Sequence, residues 1–135
     1  MTTAVSKTHV FIVEDDTYYN EVLAAHTRQI LEKAGIEPEI TQLYSKEECI
    51  ARLSDRPDLI LLDFYLDVNN DITSTGFDVL QKIKTKYPDI RVVIISQQHE
   101  WERFKEEFVN SGAEDFLKKD DQLPDNLARF LVPST

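Results

Sequence analysis

The chain has 135 residues and a formal net charge of −10, from 25 acidic against 15 basic residues. That length suits one domain whose core needs no staples, and the acidic balance argues against sequence-independent nucleic-acid binding, which needs a basic footprint. The single cysteine, Cys49, excludes an internal disulfide, and one Cys with three scattered His lacks the spacing of a structural zinc site.

With no signal-peptide core and no apolar run near the ~20 residues of a membrane helix, the sequence is expected to be soluble, cytoplasmic and free of membrane partners. Val10-Phe11-Ile12-Val13 reads as strand one and runs into Glu14-Asp15-Asp16. Asp16 is expected to cap helix one, whose apolar stripe reads Val22, Leu23, His26, Ile30 and Ala34 before Gly35 supplies a left-handed end. Glu39 to Tyr44 reads as a less apolar strand two, hence an edge. Ser45 and Glu48 have the spacing of a capping box for helix two, which Arg56-Pro57 breaks.

Leu59-Ile60-Leu61-Leu62 is apolar without alternation, as expected of a central parallel strand buried on both faces. Asp63 follows directly, where open α/β sheets put their ligands. The polar stretch from Phe64 to Thr75 lacks periodicity and reads as a solvated insertion. Its oxygens over Asp67 to Thr73 echo a calcium loop only loosely, since Ile72 stands where Gly is needed. Gly76 opens helix three, with Phe77, Val79 or Leu80, Ile83 and Tyr87 on one stripe before Pro88. Val92 to Ile95 is strand four, ending at Ser96. Trp101, Phe104 and Phe108 mark helix four, Gly112 ends it, and Phe116-Leu117 is a short strand five before Lys118-Lys119-Asp120. Pro124, Leu127, Phe130 and Leu131 make helix five. Five βα repeats predict a doubly wound α/β domain over residues 9–132, with residues 1–8 as a tail.

In such a sheet the carboxyl ends of the strands share one rim. Glu14, Asp15, Asp63, Ser96 and Lys119 collect there. Three carboxylates repel one another unless cations sit between them. Lys119 supplies one positive charge, and a hard divalent ion such as Mg2+ would supply two. Lys118 is the rival of Lys119 for this place, and the spacing from Gly112 favours Lys119.

Val13-Glu14-Asp15-Asp16, Leu61-Leu62-Asp63, Ile94-Ile95-Ser96 and Gly112 through Lys119 together resemble the receiver domain of two-component response regulators, in order and spacing from about Val10 to Leu131. The resemblance implies a flavodoxin-like three-layer sandwich with strand order 2-1-3-4-5. It implies Asp63 as the aspartate that accepts a phosphoryl group from a sensor histidine kinase or phosphotransfer protein. Glu14, Asp15, Asp63 and the backbone carbonyl of Tyr65 would hold Mg2+ or Mn2+, Lys119 and Ser96 would bind the phosphoryl group, and Phe116 would be the aromatic switch. The signal would pass to a downstream protein through helix four, strand five and helix five, making the chain a phosphorelay switch and not a turnover enzyme. It would be either a stand-alone receiver or a piece of a longer protein.

Other readings fit less well. An aspartate-nucleophile phosphatase wants a second Asp where Tyr65 stands, and a flavin or nucleotide binder wants a Gly-rich loop where Glu14 and Asp15 stand. A non-phosphorylated adaptor would not need the acid–Asp–Ser–Lys set.

The sequence also departs from the family pattern. Asp67 replaces the usual proline, Gly76 arrives late, Gln97 follows Ser96 where a small residue is common, and Asp120 replaces the proline often found after the lysine. Tyr65 and Gln98 are expected to flank the path of attacking water and so to tune the lifetime of phospho-Asp63. Replacing both with Ala should change the dephosphorylation rate in a single-turnover assay, and an unchanged rate would exclude that role.

Overall fold

The computed structural model describes residues 6–64 and 76–132, with only the backbone of Gln98, Lys105, Phe108 and Val109. The predicted tail through Val5, the Phe64–Thr75 insertion beyond Phe64, Tyr65 and the core role of Phe108 therefore lie outside the described residues. The elements run β1 (Lys7–Val13), α1 (Thr17–Lys33), β2 (Glu37–Leu43), α2 (Lys46–Ala51), a 3-10 turn (Leu53–Asp55), β3 (Leu59–Asp63), α3 (Gly76–Lys86), β4 (Arg91–Ser96), α4 (Gln98–Arg103), α5 (Lys105–Asn110), β5 (Asp115–Lys118) and α6 (Leu123–Leu131). The five strands form one sheet in the order β2-β1-β3-β4-β5, and every neighbouring pair is parallel. This is the doubly wound α/β fold expected from the sequence.

Alternation along each central strand divides the core in two. Phe11, Val13, Ile60, Leu62, Val92 and Ile94 face one side, with Cys49 of α2 and Val79, Leu80 and Ile83 of α3. Val10, Ile12, Leu59, Leu61, Val93 and Ile95 face the other, with Leu23 and Leu31 of α1 and Leu123, Leu127 and Leu131 of α6. With helices on both faces, β3 buries every residue. Each such Leu or Ile contributes roughly 1.5–3 kcal/mol relative to exposure, and both ranks lock the strand register.

Three helices differ from the sequence expectation. Helix two, expected to run through Ile50 and Leu53 to the break at Arg56-Pro57, stops as α2 at Ala51, and a separate 3-10 turn covers Leu53–Asp55. The buried face of α1 is Asn20, Leu23, Ala24, Thr27 and Leu31, while Val22, His26 and Ile30 are only half-buried. Hydropathy misplaces the stripe because two of the buried residues are polar. Asn20 is satisfied internally: its Nδ2 donates to the carbonyls of Glu14 and Leu43, each at 3.0 Å, and its Oδ1 accepts from Gln42 Nε2 at 3.0 Å. The expected single helix four is two short helices broken at Phe104, whose backbone leaves helical geometry (φ −115°, ψ 23°). Its ring packs on Phe64 (centroids 5.1 Å) and Phe77 (6.4 Å), so aromatic packing wins over helix continuity.

Local signals otherwise act as read. Asp16 Oδ1 accepts from Tyr19 N at 3.1 Å and caps α1. Ser45 caps α2 by accepting from Glu48 N at 3.1 Å. Gly35 has φ +75°. Gly76 lies so close to the end of β3 that a Cβ there would sit 3.2 Å from the Asp63 carbonyl oxygen and 3.3 Å from Phe64 Cα, and its N–H donates to the Phe64 carbonyl at 2.6 Å.

Asn20 thus ties α1 to the ends of β1 and β2. Asn20→Ala removes a donor from the Glu14 carbonyl and from the Leu43 carbonyl, the latter still accepting from Glu14 N, with an expected loss of about 2 kcal/mol, against about 1 kcal/mol for Asp16→Ala at the exposed cap. Urea unfolding measures both. A smaller loss at Asn20 than at Asp16 would overturn the clamp.

Candidate functional site

The parallel register delivers the predicted groups to one rim. Val13 stands opposite Leu62, Asp63 opposite Ile95 and Ser96 opposite Lys118. Each of these strand ends therefore carries its next side chain to the same edge of the sheet. Lys119 continues the β4–β5 ladder, its N–H donating to the Ser96 carbonyl at 2.9 Å.

The side chains converge. Lys119 Nζ lies 2.8 Å from Asp63 Oδ1 and 2.9 Å from Glu14 Oε1. Glu14, Asp15 and Asp63 each offer a carboxylate oxygen within 4.8 Å of the others, the only such grouping among the described residues. Glu14 is 1% exposed and Asp63 5%, whereas Asp15 opens to solvent. Glu14 is further fixed by Asp16 N, which donates to its Oε2 at 3.1 Å. Lys118 Nζ lies 5.9 Å from the centre of the Trp101 ring, so of the two lysines it is Lys119 that reaches the Asp63 and Glu14 carboxylates.

Like unit charges 4 Å apart cost about 4 kcal/mol at an effective dielectric of 20, and one ammonium cannot neutralise three carboxylates. Burial, with the neighbouring Glu14 and Asp15 charges and against the pull of Lys119, pushes Asp63 up to about 8. Burial also raises Glu14, again against Lys119. Burial alone would lower Lys119, but the Asp63 and Glu14 carboxylates outweigh it and hold the ammonium above its ordinary value. The donor set is all hard oxygen, partly open to water through Asp15. That suits Mg2+ or Mn2+, which take a few carboxylates and keep waters or phosphate oxygens.

The Ser96 side chain is fully buried, and its Oγ has no hydrogen-bond partner among the described residues. A buried unpartnered hydroxyl costs about 1–3 kcal/mol, so this rim holds a donor ready for an acceptor. Phe116 lies on β5 with its ring centroid 3.9 Å from that of Trp101, tilted by 30°. Gln97 and Glu100 form a capping box on α4, with Gln97 N donating to Glu100 Oε1 at 2.6 Å; this gives Gln97 a use where a small residue is common. The peptide after Lys119 is trans. Tyr65 and the side chain of Gln98 lie outside the described residues.

Sequence reading missed two residues here. Tyr19 places its ring centroid 4.6 Å from Lys119 Nζ, and burial pushes its phenol up to about 12. Asn20 holds the Glu14 carbonyl. The only local hint was polar Asn20 beside the apolar stripe of α1.

The model of the response regulator receiver domain matches residues 10–129. No curated protein matches the chain. Among solved structures, a response regulator receiver domain protein from Clostridium thermocellum superposes with TM-score 0.72 at 17% identity, covering 92% of this chain and 90% of the other. The signal receiver domain of a repressor protein from Vibrio parahaemolyticus gives 0.68 at 26% identity, covering 93% and 90%. NtrX from Brucella abortus gives 0.70 at 23% identity, covering 93% of this chain but spanning only 27% of NtrX.

The electrostatics set a pH dependence. The folded chain holds the Asp63 proton more tightly than the unfolded chain, so this group's contribution to stability is full below about pH 4 and is lost as pH rises toward about 8. Asp63→Asn keeps an oxygen for Lys119 without the charge. In metal-free buffer its urea midpoint should exceed that of the unmodified chain near pH 8.5, with the gap closing near pH 4.5. A gap that does not vary with pH would overturn this.

Proposed function

The chain belongs to the response regulator receiver domain family, and from that premise we propose that it is a phosphoryl-accepting switch, with Asp63 as the acceptor and residues 9–132 as the working unit. The observation that carries the reading is the buried meeting of Asp63, Glu14 and Lys119 at 2.8 and 2.9 Å.

An Asp63 carboxylate oxygen attacks the phosphorus of a phosphohistidine on a sensor histidine kinase or phosphotransfer protein, or of a small phosphodonor. The O–P bond forms as the bond from phosphorus to the leaving group breaks, and the leaving atom, the imidazole nitrogen of a phosphohistidine or the bridging atom of a small phosphodonor, keeps the electron pair. Glu14, Asp15, Asp63 and the Tyr65 carbonyl would hold Mg2+, or Mn2+ in its place. When bound, that ion supplies the positive charge that offsets repulsion between carboxylate and incoming phosphoryl oxygens. Lys119 trades the Asp63 carboxylate for a phosphoryl oxygen while keeping Glu14. The Ser96 hydroxyl, without a hydrogen-bond partner among the described residues, gains a charged acceptor, a hydrogen bond of about 1.5–3 kcal/mol.

Drawing Ser96 toward the phosphoryl group pulls on Gln97 and, through its capping box, on α4. Phe116 moves relative to Trp101, and the surface formed by α4, α5, β5 and α6 shifts its population toward a form that a downstream protein binds. A cytoplasmic setting belongs to this proposal; among the described residues no helix is long and apolar enough to cross a membrane.

The single tryptophan gives a direct test, because Trp101 stacks on the proposed switch residue. Beryllium fluoride with Mg2+ should change Trp101 emission, and Asp63→Asn should abolish the change. Glu14→Gln or Asp15→Asn should weaken Mg2+ binding about tenfold or more, the usual effect of losing support at a metal site. No response in the unmodified chain would favour an adaptor that keeps only the fold. Sustained hydrolysis of phosphate esters would favour a phosphatase.

A further inference from the structure

Lys119 is held on more than its carboxylate side. Two of its three N–H directions are used by Asp63 and Glu14, and the face of the half-buried Tyr19 ring lies 4.6 Å from Nζ, inside the ~6 Å range of cation–π attraction. The ring is itself placed rigidly. Tyr19 N donates to the capping Asp16 carboxylate at 3.1 Å, and the next residue, Asn20, is clamped to the ends of β1 and β2. A Lys side chain otherwise gains entropy and hydration by swinging into water.

We propose that Tyr19 is a positioning residue that keeps the Lys119 ammonium at the rim through the face of its ring, so that Lys119 is in place when Asp63 gains its phosphoryl group. The inference rests on the switch reading above. The aromatic face matters and the hydroxyl does not. The attraction is available in both states, because the ring is not among the oxygen partners that Lys119 exchanges.

The test measures beryllium fluoride affinity in saturating Mg2+ by Trp101 emission, with urea unfolding in parallel to confirm that each variant folds. Tyr19→Phe should keep affinity near that of the unmodified chain. Tyr19→Leu should weaken it about fivefold, which converts to about 1 kcal/mol. Pentafluorophenylalanine at position 19 preserves ring shape but reverses the charge of its face, and it should behave like Leu. In a Lys119→Ala background, Tyr19→Leu should cause no further loss.

Equal affinity for Leu and Tyr, a pentafluoro variant equal to Phe, or the same loss with and without Lys119 would each overturn the role and leave Tyr19 as packing. An unmodified chain that binds no beryllium fluoride would bring down the switch reading and this inference together. A normal response in that chain with an unaffected Tyr19→Leu removes only the inference.

Discussion

Two carboxylates buried around a single ammonium form the constraint on which the site depends. Water would separate Asp63, Glu14 and Lys119, but burial deprives all three of hydration, so each must find compensation in the others. The compensation is incomplete. Asp15 adds a third negative charge nearby, and both buried carboxylates hold protons more tightly than they would in water. The resting rim is therefore short of positive charge, which favours the entry of a cation and an electrophile. A site neutral at rest would have less to gain from either.

The fold keeps this arrangement from relaxing. Asp63 ends the strand buried along its whole length, and Glu14 follows the strand beside it. Sliding β3 by one residue would turn its leucines to the wrong layers, so the two acids cannot part without exposing core. Asn20 adds a polar lock at the same level. Packing that stabilises the domain also holds the repulsion in place, and the energy spent there comes from the hydrophobic layers on both sides of the sheet.

Much of this was legible in the sequence because it rests on local rules. Unbroken apolar runs identified the buried strands, acids and caps marked the helix starts, and strand ends in a parallel sheet must share a rim. Asp63, Glu14 and Asp15 followed from their positions directly after those runs, and Lys119 was picked over Lys118 by its spacing from Gly112. What escaped needs tertiary knowledge. Asn20 looks like a misplaced polar residue until the Glu14 and Leu43 carbonyls are seen beside it. The break at Phe104 is invisible to a periodicity that Trp101, Phe104 and Phe108 satisfy, because it is set by Phe64 and Phe77 from distant segments. The Tyr19–Lys119 contact joins residues a hundred positions apart, and no spacing rule reaches that far.

The close approach of Gly76 to the end of β3 has a consequence for how this lineage can vary. Gly76 N meets the Phe64 carbonyl, and a Cβ at Gly76 would press on the backbone of Asp63 and Phe64. The excursion is pinched shut at its neck. Its closure entropy grows only logarithmically with length, about 0.6 kcal/mol per doubling. Residues can thus be gained or shed between the two anchors while the Asp63 carboxylate stays put. Such a neck lets evolution, or a protein engineer grafting a new segment, rewrite the surroundings of Asp63 without redesigning the sheet beneath it.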